Sequence, residues 1–247
     1  MAGNAFKLNA GKTHFLAMGT KRRLDGLTEP LEVVMDGITL KESKEQSEVL
    51  LGVRMQNDME WSGQIEDLQA KLKKRLGGLA NLKHIMGSSC KKNIVEGVFN
   101  SVLCYCLPLF GGCNSSDLKC LQVQQNKAAQ IVVSMPPRSH RDNMYDRLNW
   151  LTVNQLVVYH TLVSVHRIRQ TEQPEYLADI LCKTSRQVSS GIIVENNKLG
   201  LARKSFTIRG AQQWNKLTSS LRMEQKLSKF KKGLKKWIAE NVPRFLP

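Results

Sequence analysis

The chain has 247 residues, with 37 Lys+Arg against 21 Asp+Glu and a net charge of +16. That length can bury a core in one large or two small domains, and the 41% hydrophobic share is patterned enough for a folded protein. An isoelectric point near 9.8 leaves two readings, a polyanionic partner such as nucleic acid or a basic surface that is only solvated. The surplus is uneven: from Lys183 onward the acidic residues are Glu195, Glu224 and Glu240, against fifteen Lys and Arg. Residues 1–16 lack the apolar core of a signal peptide, and no window approaches the roughly 20 apolar residues a membrane span needs. The expectation is an intracellular protein, nuclear or cytoplasmic, neither secreted nor membrane-bound.

Taken in chain order, residues 1–58 read as β-rich. Residues 13–18 form a short alternating strand, residues 31–40 a hairpin about Asp36-Gly37, and residues 49–55 a further strand. On residue type alone, Gly52 marks a β-bulge or a strand packed closely on its neighbour. After Trp61 the period becomes helical. Ile65, Leu68, Leu72, Leu76, Leu79, Leu82 and Ile85 draw one apolar stripe, with Lys71, Lys73, Lys74, Arg75 and Lys83 on the other faces and a break or kink expected at Gly77-Gly78. A second helix over residues 91–105 carries apolar residues on more than one face and is expected at the centre of a bundle. A third runs from Asp117 to Pro136-Pro137, where tandem prolines set a boundary. Beyond it come a helix introduced by Leu148-Asn149-Trp150-Leu151, a short one started by Pro174, a turn at Ser189-Ser190-Gly191, and a basic amphipathic helix over residues 227–238. A helix of that last kind can serve a membrane, an acidic partner or RNA, but most often packs its apolar face on its own domain.

The order of these words carries a resemblance. Asn9-Ala10-Gly11-Lys12-Thr13, the Asp36-Gly37 hairpin, Leu50-Leu51-Gly52-Val53, Trp61 and a basic helix follow one another as they do at the end of the palm and in the thumb of non-LTR (LINE-type) retrotransposon reverse transcriptases. Tyr105-Cys106-Leu107-Pro108-Leu109-Phe110-Gly111 and Leu121-Gln122-Val123-Gln124-Gln125-Asn126-Lys127-Ala128-Ala129 resemble the post-thumb segment of that family, which commonly has Arg where this chain has Gln130. Ser205-Phe206-Thr207-Ile208-Arg209-Gly210-Ala211-Gln212-Gln213-Trp214-Asn215 is similar to a word in the C-terminal part of the same polyproteins. The resemblance covers nearly the whole chain.

It implies an α+β, predominantly α fold: trailing palm strands over residues 1–58, a helical thumb over 59–135 and a mostly helical basic region over 136–247. Leu51 and Gly52 would belong to the primer grip, where the backbone approaches the growing strand. Lys71, Lys73, Lys74, Arg75 and Lys127 would follow the template–primer backbone, neutralising phosphates without reading sequence. Lys12 matches a post-palm lysine that can meet the incoming nucleotide. The implied partner is RNA or DNA, bound weakly and in a salt-dependent way.

Nucleotidyl transfer by paired magnesium ions needs at least two convergent carboxylates, which the family supplies from segments ahead of the Asn-x-x-Lys-Thr word. This sequence has no Asp-Asp. Glu66-Asp67 suits the start of a helix, and Asp146 a surface ion pair. No catalytic residue, metal ligand or cofactor is therefore expected within these residues, and Mg2+ only for the complete parent enzyme. Cys104, Cys106, Cys113 and Cys120 lack the paired-knuckle spacing of zinc sites and read as reduced thiols. The expected function is a polymerase fragment acting at most as a nucleic-acid-binding module; the alternative is a helical adaptor for protein partners.

Overall fold

The computed structural model describes residues 9, 12–27, 31–35, 37–43, 46–81, 85–135, 141–183, 190–194 and 200–246. It divides into two compact units, Met1–Gln64 and Ile65–Pro247. A few short strands fill the first and helices the second, an α+β and predominantly α architecture.

In the first unit, β1 (His14–Phe15) is followed by α1 (Lys21–Leu24), β2 (Val33–Met35), β3 (Ile38–Glu42), β4 (Ser47–Leu50) and β5 (Val53–Gln56). The hairpin expected at residues 31–40 is β2–β3, paired from Val33↔Leu40 to Met35↔Ile38; Asp36 lies outside the described residues and Gly37 takes φ +76°. The strand expected over residues 13–18 is reduced to His14–Phe15, which pairs in parallel with β3. Val33, Val34, Met35 and Ile38 stay exposed.

The expected strand over residues 49–55 is instead a turn between two strands. β4 and β5 pair antiparallel from Ser47↔Gln56 to Leu50↔Val53, leaving Leu51-Gly52 as a two-residue connection. Both turn residues have positive φ, +50° and +82°. That is the signature of a type I′ turn, whose twist matches the strands it joins. Gly52 is thus required by the turn, not by a bulge. Gln56 then ends the hairpin by capping the next helix: its Oε1 accepts from Gly63 N–H at 2.8 Å, while Gln64 Oε1 accepts from Arg54 N–H at 2.8 Å. Both contacts lie within the first unit, where they join the β4–β5 hairpin to Gly63 and Gln64.

That helix, α2 (Ser62–Asn81), buries Ile65, Leu68, Leu72, Leu76 and Leu79, the expected stripe. It runs through Gly77 and Gly78 without a break, contrary to expectation. Two glycines cost about 1 kcal/mol each against alanine, less than the burial of Leu72, Leu76 and Leu79 that flank them. The stripe stops sooner than expected: Leu82 lies outside the described residues, and Ile85 is 78% exposed in a turn.

α3 (Ser88–Val95), a π-helical turn (Glu96–Asn100) and α4 (Ser101–Leu103) make one continuous rod. Its buried residues are Lys91, Val95, Phe99 and Leu103, spaced by four. In a pure α-helix that spacing drifts by about 40° per step, and the wider π turn absorbs the drift. The rod is therefore one-sided, not the all-round central helix expected from its composition. Lys91, surrounded by apolar neighbours, sends Nζ to Ser134 Oγ at 3.0 Å.

α5 (Leu107–Phe110) precedes α6 (Ser115–Val133), which begins at an extended Asn114 and carries Asp117 in its first turn rather than at its cap. α7 (Arg141–Leu148), unanticipated, leads to α8 (Val153–Thr171). α9 (Glu175–Leu181), α10 (Gly200–Lys204), α11 (Phe206–Asn215), α12 (Ser219–Arg222) and α13 (Leu227–Asn241) complete the chain. The central helix is α8: Val158, Leu162, Val165 and Ile168 share a core with Trp214 of α11 and Phe230, Leu234 and Ile238 of α13. The C-terminal basic helix packs its apolar face on its own domain, as its amphipathic pattern suggested. No helix among the described residues is long and apolar enough to cross a membrane.

Candidate nucleic-acid interface

The expected contact residues fall on four elements. Lys12 is exposed; its N–H donates to the Asn9 carbonyl at 3.0 Å, and Thr13 Oγ1 donates to the same oxygen at 2.9 Å. Leu51 and Gly52 form the β4–β5 tip, and Leu51 is 84% exposed there. A leucine at positive φ costs about 1–2 kcal/mol, and exposing its side chain returns nothing to stability. Substitution Leu51→Asn, the residue a type I′ turn prefers, is expected to stabilise the hairpin by roughly 1 kcal/mol, read as a higher thermal midpoint; a lower midpoint would contradict the turn assignment.

Lys71, Lys73 and Lys74 are exposed on α2, away from its buried stripe. Among the described residues, none of the three has a carboxylate partner. Arg75 differs: its Nη1 donates to the Val98 carbonyl at 2.8 Å, which ties α2 to the π turn. Leu79 of α2, Ile94 and Val95 of α3 and Ile131 of α6 line one small gap, so these helices pack as a bundle. Lys127 projects from the exposed face of α6.

The Leu-Gln-x-x-Gln-Asn word beside Lys127 is engaged in hydrogen bonds within the protein. Gln122 donates through Nε2 to the Tyr145 hydroxyl at 2.6 Å and to Asn126 Oδ1 at 2.9 Å, while its Oε1 accepts from Val153 N–H at 2.8 Å. Gln125 accepts from the Tyr145 hydroxyl at 3.1 Å and donates to the Leu151 carbonyl at 2.9 Å. The Leu-Gln-x-x-Gln-Asn face of α6 thereby satisfies a buried tyrosine of α7 and the first amide of α8. Burial pushes the Tyr145 hydroxyl above its ordinary pKa, so it remains a neutral donor.

Residues of the α11 word are equally occupied. Arg209 donates through Nη2 to the Pro108 carbonyl, and burial lowers its pKa to about 10. A Cβ on Gly210 would stand 2.9 Å from Val165 Cγ2, so glycine lets α11 approach α8. Trp214 Nε1 donates to the Ser190 carbonyl at 3.0 Å, and Asn215 pairs with both backbone groups of Ile192 at 2.8 Å.

One feature was invisible in the linear sequence. The C-terminal segment is strapped across the start of α8, where Asn154 Nδ2 donates to the Pro243 carbonyl and Gln155 Nε2 to the Val242 carbonyl, each at 3.1 Å. Arg244 there pairs with Asp142 at 3.5 Å and with Asp146, and its hydrogen bond holds the Asp146 carboxyl below its ordinary pKa. The strap walls a cleft of about 340 Å³ with Lys119, Asn126, Arg141 and Phe245. No local signal could reveal it, because its residues come from three distant segments.

Asp142 and Asp146 share a face of α7, but Arg244 occupies both. Among the described residues no group of three or more His, Cys, Asp or Glu could hold a metal ion. All six cysteines are free thiols, and burial raises Cys104 to about 11 and Cys113 to about 12.

His166 is the buried titratable group with the clearest consequence. Its ring stacks on Phe230 at 4.2 Å, its Nε2 donates to the Glu224 carbonyl at 2.7 Å, and its Nδ1 is buried without a partner. Burial holds its pKa below the ordinary value of 6.5; burial and the Lys231 charge do the same to His160. Both groups are thus harder to protonate folded than unfolded. Their contribution is complete above about pH 6.5 and is lost as pH falls toward the folded pKa values. The urea midpoint is expected to drop between pH 7 and pH 5, whereas Asp146 acts only below about pH 4. A flat or rising midpoint over that interval would refute this.

No protein-family model, curated protein or solved structure matches the chain.

Proposed function

We propose that this chain is the end of the palm, the thumb and the C-terminal region of a LINE-type reverse transcriptase, and that by itself it is at most a weak, sequence-tolerant RNA- or DNA-binding module without polymerase activity. One observation carries the binding reading: α2 spends its apolar stripe on the bundle and leaves Lys71, Lys73 and Lys74 exposed without acidic partners among the described residues. Ion pairs with i,i+4 carboxylates would add about 0.2–0.5 kcal/mol each to the helix, and these lysines make none among the described residues. Lysines of this kind contact phosphates as point charges and leave base sequence unread. The exposed, strained leucine at the β4–β5 tip adds support, because stability alone disfavours it.

The test is titration of a labelled RNA with the full chain at several salt concentrations. The triple variant Lys71→Gln, Lys73→Gln, Lys74→Gln is expected to flatten the log–log salt slope by about 2. An unchanged slope would remove α2 from the interface. Incorporation of deoxynucleotides on a primed RNA is expected to be undetectable, since the sequence supplies no Asp-Asp pair, and metal-dependent extension by the purified chain would overturn that part. The alternative, an adaptor for protein partners, has the exposed apolar residues of β2–β3 as its support. It prevails if RNA affinity is absent even at low salt.

A further inference from the structure

α13 carries a second set of lysines that the thumb reading does not use. Its buried residues, Phe230, Leu234 and Ile238, lie against α8, and Leu227 and Trp237 are half-buried beside the same core. Gly233 faces α12 so closely that a Cβ there would meet Leu221 Cδ2 at 2.6 Å. Lys235 leans over the Tyr159 ring, 5.9 Å from its centroid. Opposite this packed side, Lys229, Lys232 and Lys236 are exposed and, among the described residues, have no carboxylate partner. At 1.5 Å of rise per residue they stand about 4.5 and 6 Å apart along the helix, in one line.

We infer that this lysine row is a second docking surface, and that its occupant is the phosphate backbone of a nucleic acid. The packing of α13 decides among polyanions. A basic amphipathic helix binds a membrane by burying its apolar face in the lipid boundary, and here that face is already spent on the protein core. Protein interfaces are depleted in lysine and need an apolar or aromatic centre, which the exposed side of α13 lacks. A phosphate backbone needs neither. It offers a charge about every 3.4 Å along each strand and rewards closely spaced cations by counterion release. The row lies in the region where the chain's positive surplus is concentrated, so the field around it is reinforced by its neighbours.

The inference rests on the nucleic-acid-binding reading, but it fails or stands separately. The full chain is titrated with a labelled 20-nucleotide RNA of mixed sequence, beside the variant Lys229→Gln, Lys232→Gln, Lys236→Gln and the α2 triple variant. The α13 variant is expected to lose about tenfold in affinity near 0.1 M salt and to flatten the salt slope by about 2. The corresponding Lys→Arg triple is expected to bind as the parent does. An unchanged urea midpoint establishes that folding is intact. If the α13 variant binds RNA like the parent while the α2 variant does not, this inference falls and the thumb reading stands. The opposite pattern upholds α13 and removes α2; two silent variants remove both. Anionic phosphatidylserine vesicles and poly-glutamate serve as competing occupants. Displacement of RNA by either at equal charge concentration, abolished in the α13 variant, would overturn the choice of nucleic acid.

Discussion

Replacing Trp214 by alanine is expected to cost about 3–5 kcal/mol, a large share of the roughly 5–15 kcal/mol that stabilises an ordinary domain. The indole is fully buried between His166 and Phe230, with ring centroids 6.3 and 5.8 Å away, and Arg169 lies 5.3 Å over its face. Truncation would empty that volume and also strip the Ser190 carbonyl of its 3.0 Å hydrogen bond. Trp150 is the control. It is only half-buried, and its Nε1 bonds the exposed Glu96 carboxylate at 2.8 Å. Trp150→Ala is expected to cost about 1 kcal/mol or less. Urea unfolding of the two variants should separate them by at least about 2 kcal/mol, and equal losses would contradict the core arrangement.

Gln122→Ala is the second large effect, expected at about 1–3 kcal/mol. The substitution leaves the Val153 amide that opens α8 without its acceptor, while the buried Tyr145 hydroxyl keeps Gln125 and Asn126 but loses the donor it accepts from. Each unsatisfied buried group costs about 1–3 kcal/mol, and α8 is the element on which the C-terminal core is built. Hydrogen exchange of the Val153 amide should accelerate in the variant. Lys127, five residues along the same word, is exposed, so Lys127→Ala should change stability by less than about 0.5 kcal/mol. If the two variants behaved alike in unfolding, Gln122 would not be structural.

These cases bear on what the words of the sequence mean. Arg209, Gly210, Trp214 and Asn215 drew attention as a motif, and each proves to hold one segment against another. Arg209 reaches Pro108, Gly210 admits Val165, and Asn215 binds Ile192. Each has a single partner geometry, so these residues serve the architecture of the chain.

The sequence alone determined the features that repeat over a few residues. The stripe of α2, the Asp36-Gly37 hairpin and the amphipathic α13 were legible because periodicity and turn chemistry act within one or two turns of chain. Leu51-Gly52 looks like strand in the sequence because Val, Leu and Met have the same strand propensity on both sides of a turn. Only positive φ at two residues, visible in three dimensions, separates a hairpin from a single strand. At Gly77-Gly78 the reason is opposite, since tertiary burial of the flanking leucines overrides local propensity. Tertiary structure also decided which helix is central, what Gln122 and Trp214 are for, and which lysines remain unpaired. Those depend on partners 20 to 100 residues away. Charge is written in the sequence, but whether a charge is free to meet a phosphate is settled only by what packs beside it.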